Sequence, residues 1–189
     1  MMAFKYILVM LGFCMASAAN AQNIETDFVT LLERCRSSIE DATPLDITGL
    51  QSIKVQPDHL NSKQGYYQEG WILPDSDLYI IWASATLKDG RKTHVCKVTI
   101  RSSQRILEPT EQAALIRLFL IRQTELIGAK THELDRKLSP IPPIVNLGFL
   151  LSELNPRGCR VVTFLAMTKE GDFFMTGSGE RANAACEEQ

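Results

Sequence analysis

Apolar positions divide the chain into two helical stretches and several extended ones. In "ETDFVTLLERCRSSIED", Phe28, Leu32, Cys35 and Ile39 follow one another at i, i+4, i+7 and i+11. That spacing places them on one face of a helix, with Cys35 on the buried stripe. Thr26 or Asp27 is the predicted cap, and Thr43-Pro44 the stop, because the residue before proline is pushed out of the helical region. A second helix is predicted over "EPTEQAALIRLFLIRQTELIGAK", 108–130, with Thr110 as cap, Glu111 at the positive end of the dipole and Gly128 as stop. Its "LFLI" is apolar nearly all round, so it calls for deep burial or a partner.

The extended stretches lie between and after these helices. "LDITGLQSIKVQ" (45–56) is a weak strand and "PDHLNSKQG" a loop. "YYQEGWIL" and "DLYIIWASATL" are rich in the aromatic and β-branched residues that suit a pleated surface. "KDGR" (88–91) predicts a two-residue hairpin turn, because Asp89-Gly90 tolerates positive φ. With that turn, Cys96 faces about Ala83 and His94 about Ala85. After the proline-rich connector "SPIPP" (139–143), the last third is a meander: "IVNLGFLLSEL", "CRVVTFLAMT" and "FFMTGSGER", with turns at "NPRG" and "KEGD". In that register Thr168 faces Phe173, and Cys159 faces Arg181 or Ala182. Antiparallel strands between two helices predict an α+β fold, an antiparallel sheet with two helices packed on one face. "CKVTI" and "CRVVTF" recur in similar settings, which suggests a duplicated α-β-β unit. The strand 159–168 is apolar on both sides, with Val162 and Phe164 on the face away from Val161 and Leu165.

The N-terminal segment changes the setting of this fold. Lys5, the apolar run Tyr6–Met15 and Ala19-Asn20-Ala21 have the order of a cleaved export signal over residues 1–21. The run is shorter than the ~20 residues that span a bilayer. A single domain, 22–189, then follows, with no membrane span expected in it. Losing the leader removes one lysine and no acid, so the formal charge moves from −2 to −3. Such mild acidity lacks the basic stripe of a nucleic-acid binder.

Cysteine count gains meaning in that setting. Cys14 leaves with the leader, and Cys35, Cys96, Cys159 and Cys186 remain. An even number in an oxidising compartment predicts two disulfides. Four cysteines allow three pairings. The registers rank 35–96 with 159–186 first, joining the first helix to the sheet and the C-terminal tail to its neighbouring strand.

Catalytic templates find little support. His94 and Cys96 share a strand face, but Cys96 has a partner in Cys35, and no C-x-x-C occurs. "HELDR" (132–136) has Arg136 where a zinc helix needs its second histidine, so His132 and Asp135 belong to a solvated loop or helical turn. "TGSGE" (176–180) lacks the contexts of a nucleophile elbow or a phosphate loop and reads as a bulged strand end. Asp75 and Asp77 after Pro74 are turn formers. No metal or cofactor is expected. Aromatic residues are the remaining binding candidates: Tyr66, Tyr67 and Trp71, with Trp82 assigned to the core.

The expectation is an exported, periplasmic or secreted, disulfide-stabilised protein of non-catalytic type: a binding, adaptor or inhibitor module. Its partner would be another envelope protein or a small ligand, and a homodimer is compatible with the sequence. Two other classes stay open. One is an envelope hydrolase with a non-local site using His94 or Asp75 and Asp77; the other is a self-assembling subunit with Val162 and Phe164 at an exposed apolar face.

Overall fold

The computed structural model describes residues 24–55, 66–100, 105–127, 131–133, 145–181 and 186. The expected leader, His59, Gly128, Asp135 and the 139–143 connector lie outside them. Helix α1 runs through residues 24–40. It is followed by β1 (Gln51–Ile53), β2 (Tyr66–Ile72), β3 (Leu78–Thr86) and β4 (Lys92–Ile100). Helix α2 (Pro109–Ile127) leads into β5 (Thr131–Glu133), β6 (Val145–Leu154), β7 (Arg160–Met167) and β8 (Phe174–Arg181). The protein is α+β. The eight described strands form one antiparallel sheet in the order β1-β2-β3-β4-β8-β7-β6-β5, so β4 and β8 meet at the centre and each group of four runs outward.

The predicted stripe of α1 is buried as a row: Phe28, Leu32, Cys35 and Ile39 are all closed to solvent, with Leu31 beside them. The Phe28 ring meets Phe174 edge-on at 5.9 Å. From α2, Leu115 and Phe119 enter the same cluster, and Phe119 lies 6.1 Å from Phe149. The strand members of this cluster share one sheet face. Ile80 pairs with Val98, Val98 with Thr176, and Thr176 with Leu165, which puts Leu78, Ile80, Cys96, Val98, Phe174, Val161 and Leu165 on one side. On the other side of β7, Val162 and Phe164 are half-buried.

Both disulfides are present. Cys35 joins Cys96 with Cα atoms 5.0 Å apart, and Cys159 joins Cys186 at 4.3 Å. The first ties α1 to the sheet centre. The second holds Cys186 beside the start of β7.

Five local expectations need correction. Helix α1 is already formed at residue 24, so Thr26 and Asp27 lie inside it and do not cap it. The hairpin after β3 closes through Lys88, Asp89 and Gly90, because Leu87 N donates to Arg91 O at 2.7 Å. Gly90 takes φ +88°, as the last residue of a three-residue loop does. One extra loop residue slips the register by one, so Cys96 pairs with Trp82 and His94 with Ser84. The cap of α2 is Glu108, not Thr110. Pro109 opens the helix, where its missing N–H costs nothing, and Glu111 Oε2 accepts the Glu108 N–H at 3.0 Å. The 45–56 strand shrinks to Gln51–Ile53, because Asp46 Oδ1 accepts the Thr48 N–H and Leu50 N bonds Ile47 O, turning the chain first. His132 lies in β5, where it pairs with Leu150, and not on a loop or helical turn.

Candidate functional site

The corrected register creates a row of side chains across the sheet. Tyr67 of β2 pairs with Ser84 of β3, and Ser84 with His94 of β4. Continuing the β4–β8 ladder by one position sets His94 beside Glu180, which itself pairs with Val161. Glu180 Oε2 accepts the His94 backbone N–H and faces Nδ1 of the ring, each at 2.8 Å. The Glu180 side chain is wholly buried, while that of His94 is 12% exposed.

Two further groups close on Glu180 Oε1. Asn155 Nδ2 donates at 2.7 Å and Arg157 Nε at 2.5 Å, both from the β6–β7 turn. Burial pushes the Glu180 carboxyl up. The hydrogen bonds from His94, Arg157 and Asn155, with the Arg157 charge, outweigh it and hold the group below the usual carboxylate range. A carboxylate on Nδ1 fixes the neutral ring as the Nδ1–H tautomer, so Nε2 keeps its lone pair. Nε2 makes no hydrogen bond among the described residues.

The same turn finishes α1. Asn155 Nδ2 also reaches Ile39 O at 2.8 Å, and Arg157 Nη2 reaches Ser38 O at 3.3 Å. These are carbonyls of the last helical turn, which have no partner within the helix. Nearby, Glu40 Oε1 accepts from Arg36 Nε at 3.1 Å and from Ser178 Oγ at 2.9 Å. The polar groups around the end of α1 thus form a satisfied, charge-paired network over β8.

On the β3 side the row becomes aromatic. The Trp82 and His94 rings lie 5.2 Å apart and tilted by 32°, and Tyr67 meets Trp82 edge-on at 6.5 Å. Tyr67 is 51% exposed, and its hydroxyl donates to Glu69 Oε1. A ladder of three rings therefore runs from the solvent at β2 to the buried carboxylate at β8. Trp82, assigned to the core from the sequence, is half-buried and packs against the core cluster, and it is the middle rung of the ladder.

The other candidates separate. Tyr66 points to the opposite face from Tyr67, since successive strand residues alternate, and its hydroxyl donates to Gln68 Oε1 at 3.0 Å. Trp71 shares the face of Tyr67 but packs against the hydrophobic core. Asp75 takes φ +61° in an exposed turn, and Asp77 pairs with Arg105, so these acids meet no histidine among the described residues. Ser84 and Glu180 were missed because their neighbours are set by strand register, which a one-residue change in loop length overturns.

An open groove of about 630 Å³ runs along α2, lined by Ile116, Leu120, Ile121 and their neighbours. Among the described residues no group of three or more histidine, cysteine or acidic side chains is placed to hold a metal ion. No described helix is long and apolar enough to cross a membrane. Comparison with family models, curated proteins and solved structures finds no match to the chain.

Proposed function

We propose that this is an exported, disulfide-stabilised binding module whose contact face is the Tyr67–Trp82–His94 ladder. The observation that carries the reading is the ladder's gradient of burial. A half-exposed tyrosine leans on a half-buried tryptophan, which stacks on a histidine anchored by a buried carboxylate. Aromatic side chains supply large contact area at little conformational cost, and rigid backing keeps that cost low. The two disulfides suit an oxidising compartment, which with the leader supports a periplasmic or secreted location.

The scaffold reading follows the sheet order. A four-strand meander behind each helix, meeting at β4 and β8, supports a duplicated unit of one helix and four strands, larger than the α-β-β unit of the sequence. Residues of both helices in one core cluster support their packing on a single face. Cys96 lies within β4 whereas Cys159 precedes β7, so the two cysteines do not mark equivalent positions.

The test is capture of partners from an envelope extract by the oxidised protein and by Tyr67→Ala, with bound material identified by mass. The reading expects material held by the wild type and released by the variant. Equal capture by both would place the contact elsewhere.

A further inference from the structure

The polar groups around the ladder define what it would hold. Ser84 and His94 face each other across β3 and β4, and the His94 N–H turns toward Glu180, away from β3. They are therefore a non-hydrogen-bonded pair, whose Cα atoms lie about 4.5 Å apart with side chains close together. Because Glu180 takes Nδ1, Nε2 is the ring nitrogen left without a protein partner among the described residues. The Ser84 hydroxyl and the Trp82 indole N–H make no hydrogen bond among the described residues. Glu69 has one carboxylate oxygen on Tyr67 and a second to offer. Lys92, exposed two residues before His94 on the same face, adds a donor.

This set has both signs and no excess of either. His94 Nε2 and Glu69 accept, Trp82 and Lys92 donate, and Ser84 does both. An anion would meet Glu69, and a cation would meet Lys92. An apolar ligand would cover the Ser84 hydroxyl, the Trp82 N–H and His94 Nε2 without pairing them, at a cost for each group left unpaired. A neutral, polyhydroxylated ring satisfies them, because each hydroxyl donates and accepts while the C–H face lies on an aromatic ring.

We infer that the ladder is a saccharide-binding site, taking one or two units of a neutral oligosaccharide across Tyr67 and Trp82. His94 serves as a fixed acceptor, and Glu180 is a positioning residue that sets its tautomer. The inference rests on the binding reading above and names its ligand class.

The test titrates the full oxidised chain with cellotetraose, chitotetraose and maltotetraose, following tryptophan emission and backbone amide shifts. Tetramethylammonium and inorganic phosphate are run as charged controls. At least one saccharide is expected to give a saturable response centred on Tyr67, Ser84 and His94, with neither control doing so. Tyr67→Ala, at an exposed position, should weaken binding about tenfold or more, while Tyr66→Ala on the opposite face leaves it unchanged. No response to any of the three saccharides, or saturation at this face by either control, would overturn the inference. Tyr67-dependent capture of a protein from the extract, with no saccharide bound, would overturn the ligand class and leave the binding reading standing. Failure of capture and of titration together would remove both.

Discussion

His94 Nδ1 lies 2.8 Å from Glu180 Oε2, joining residues 86 positions apart through the side chain of a wholly buried carboxylate. The contact orders the ring that Trp82 stacks on, and it leads to a spectroscopic prediction. Imidazole ¹⁵N shifts of the neutral His94 should show the Nδ1–H tautomer. In Glu180→Gln that preference should relax toward a mixture, because an amide can donate as well as accept. An Nε2–H tautomer in the wild type would contradict the assigned geometry.

Acid should weaken the fold through Glu180. Its carboxyl is held below the ordinary value of 4.5 in the folded state. The stabilisation is therefore present in full above the unfolded value and is lost as pH falls through the folded one. Urea midpoints should hold steady on the neutral side of 4.5 and fall below it, and Glu180→Gln should flatten that acid limb. At neutral pH the variant should lose about 3 kcal/mol, because Arg157 is left without its buried partner. An unchanged acid limb would remove Glu180 as its source.

Much of this fold was legible from periodicity and turns. The α1 stripe predicted from Phe28, Leu32, Cys35 and Ile39 is a row of buried residues. The register of the last hairpin, with Thr168 N bonding Phe173 O at 3.1 Å, is as the turn residues implied. The site was less legible. Asp89-Gly90 signals a turn but not its length, and the third loop residue moved His94 from Ala85 to Ser84. Glu180 is the penultimate residue of a glycine-rich strand, and nothing in its neighbours marks it as buried. Its partners come from β4 and the β6–β7 turn, distances in sequence that no local pattern spans.

The disulfides should contribute unequally. Cys35 and Cys96 close a separation of 61 residues and Cys159 and Cys186 one of 27. In the chain-entropy model these are worth about 4 and about 3.5 kcal/mol. Cys35→Ala with Cys96→Ala should also loosen α1, because both positions lie in the hydrophobic core. Thiol titration of the unfolded, unreduced chain from Gln22 onward should find no free cysteine. Stoichiometric labelling of Cys96 would contradict the pairing.

Two substitutions test how β8 and α1 meet the sheet. Gly177 takes φ +154°, and a side chain there would fall 2.1 Å from Cys96 O. Gly177→Ala should therefore destabilise by more than the ~1 kcal/mol typical of a point substitution. Phe28→Ala empties a fully buried site against Phe174 and should cost about 3–5 kcal/mol. Thermal melts read both, and a change under 0.5 kcal/mol at either would contradict the packing.

The contact face is tested most directly by photo-crosslinking at two adjacent positions. Benzoylphenylalanine placed at position 67 or at position 66 differs by one residue but lies on opposite faces of β2. In cells that export the protein, the label at 67 is predicted to give a discrete adduct and the label at 66 none. An adduct at 66 alone, equal adducts at both positions, or none at 67 would contradict the assignment of the Tyr67–Trp82–His94 ladder as the binding face.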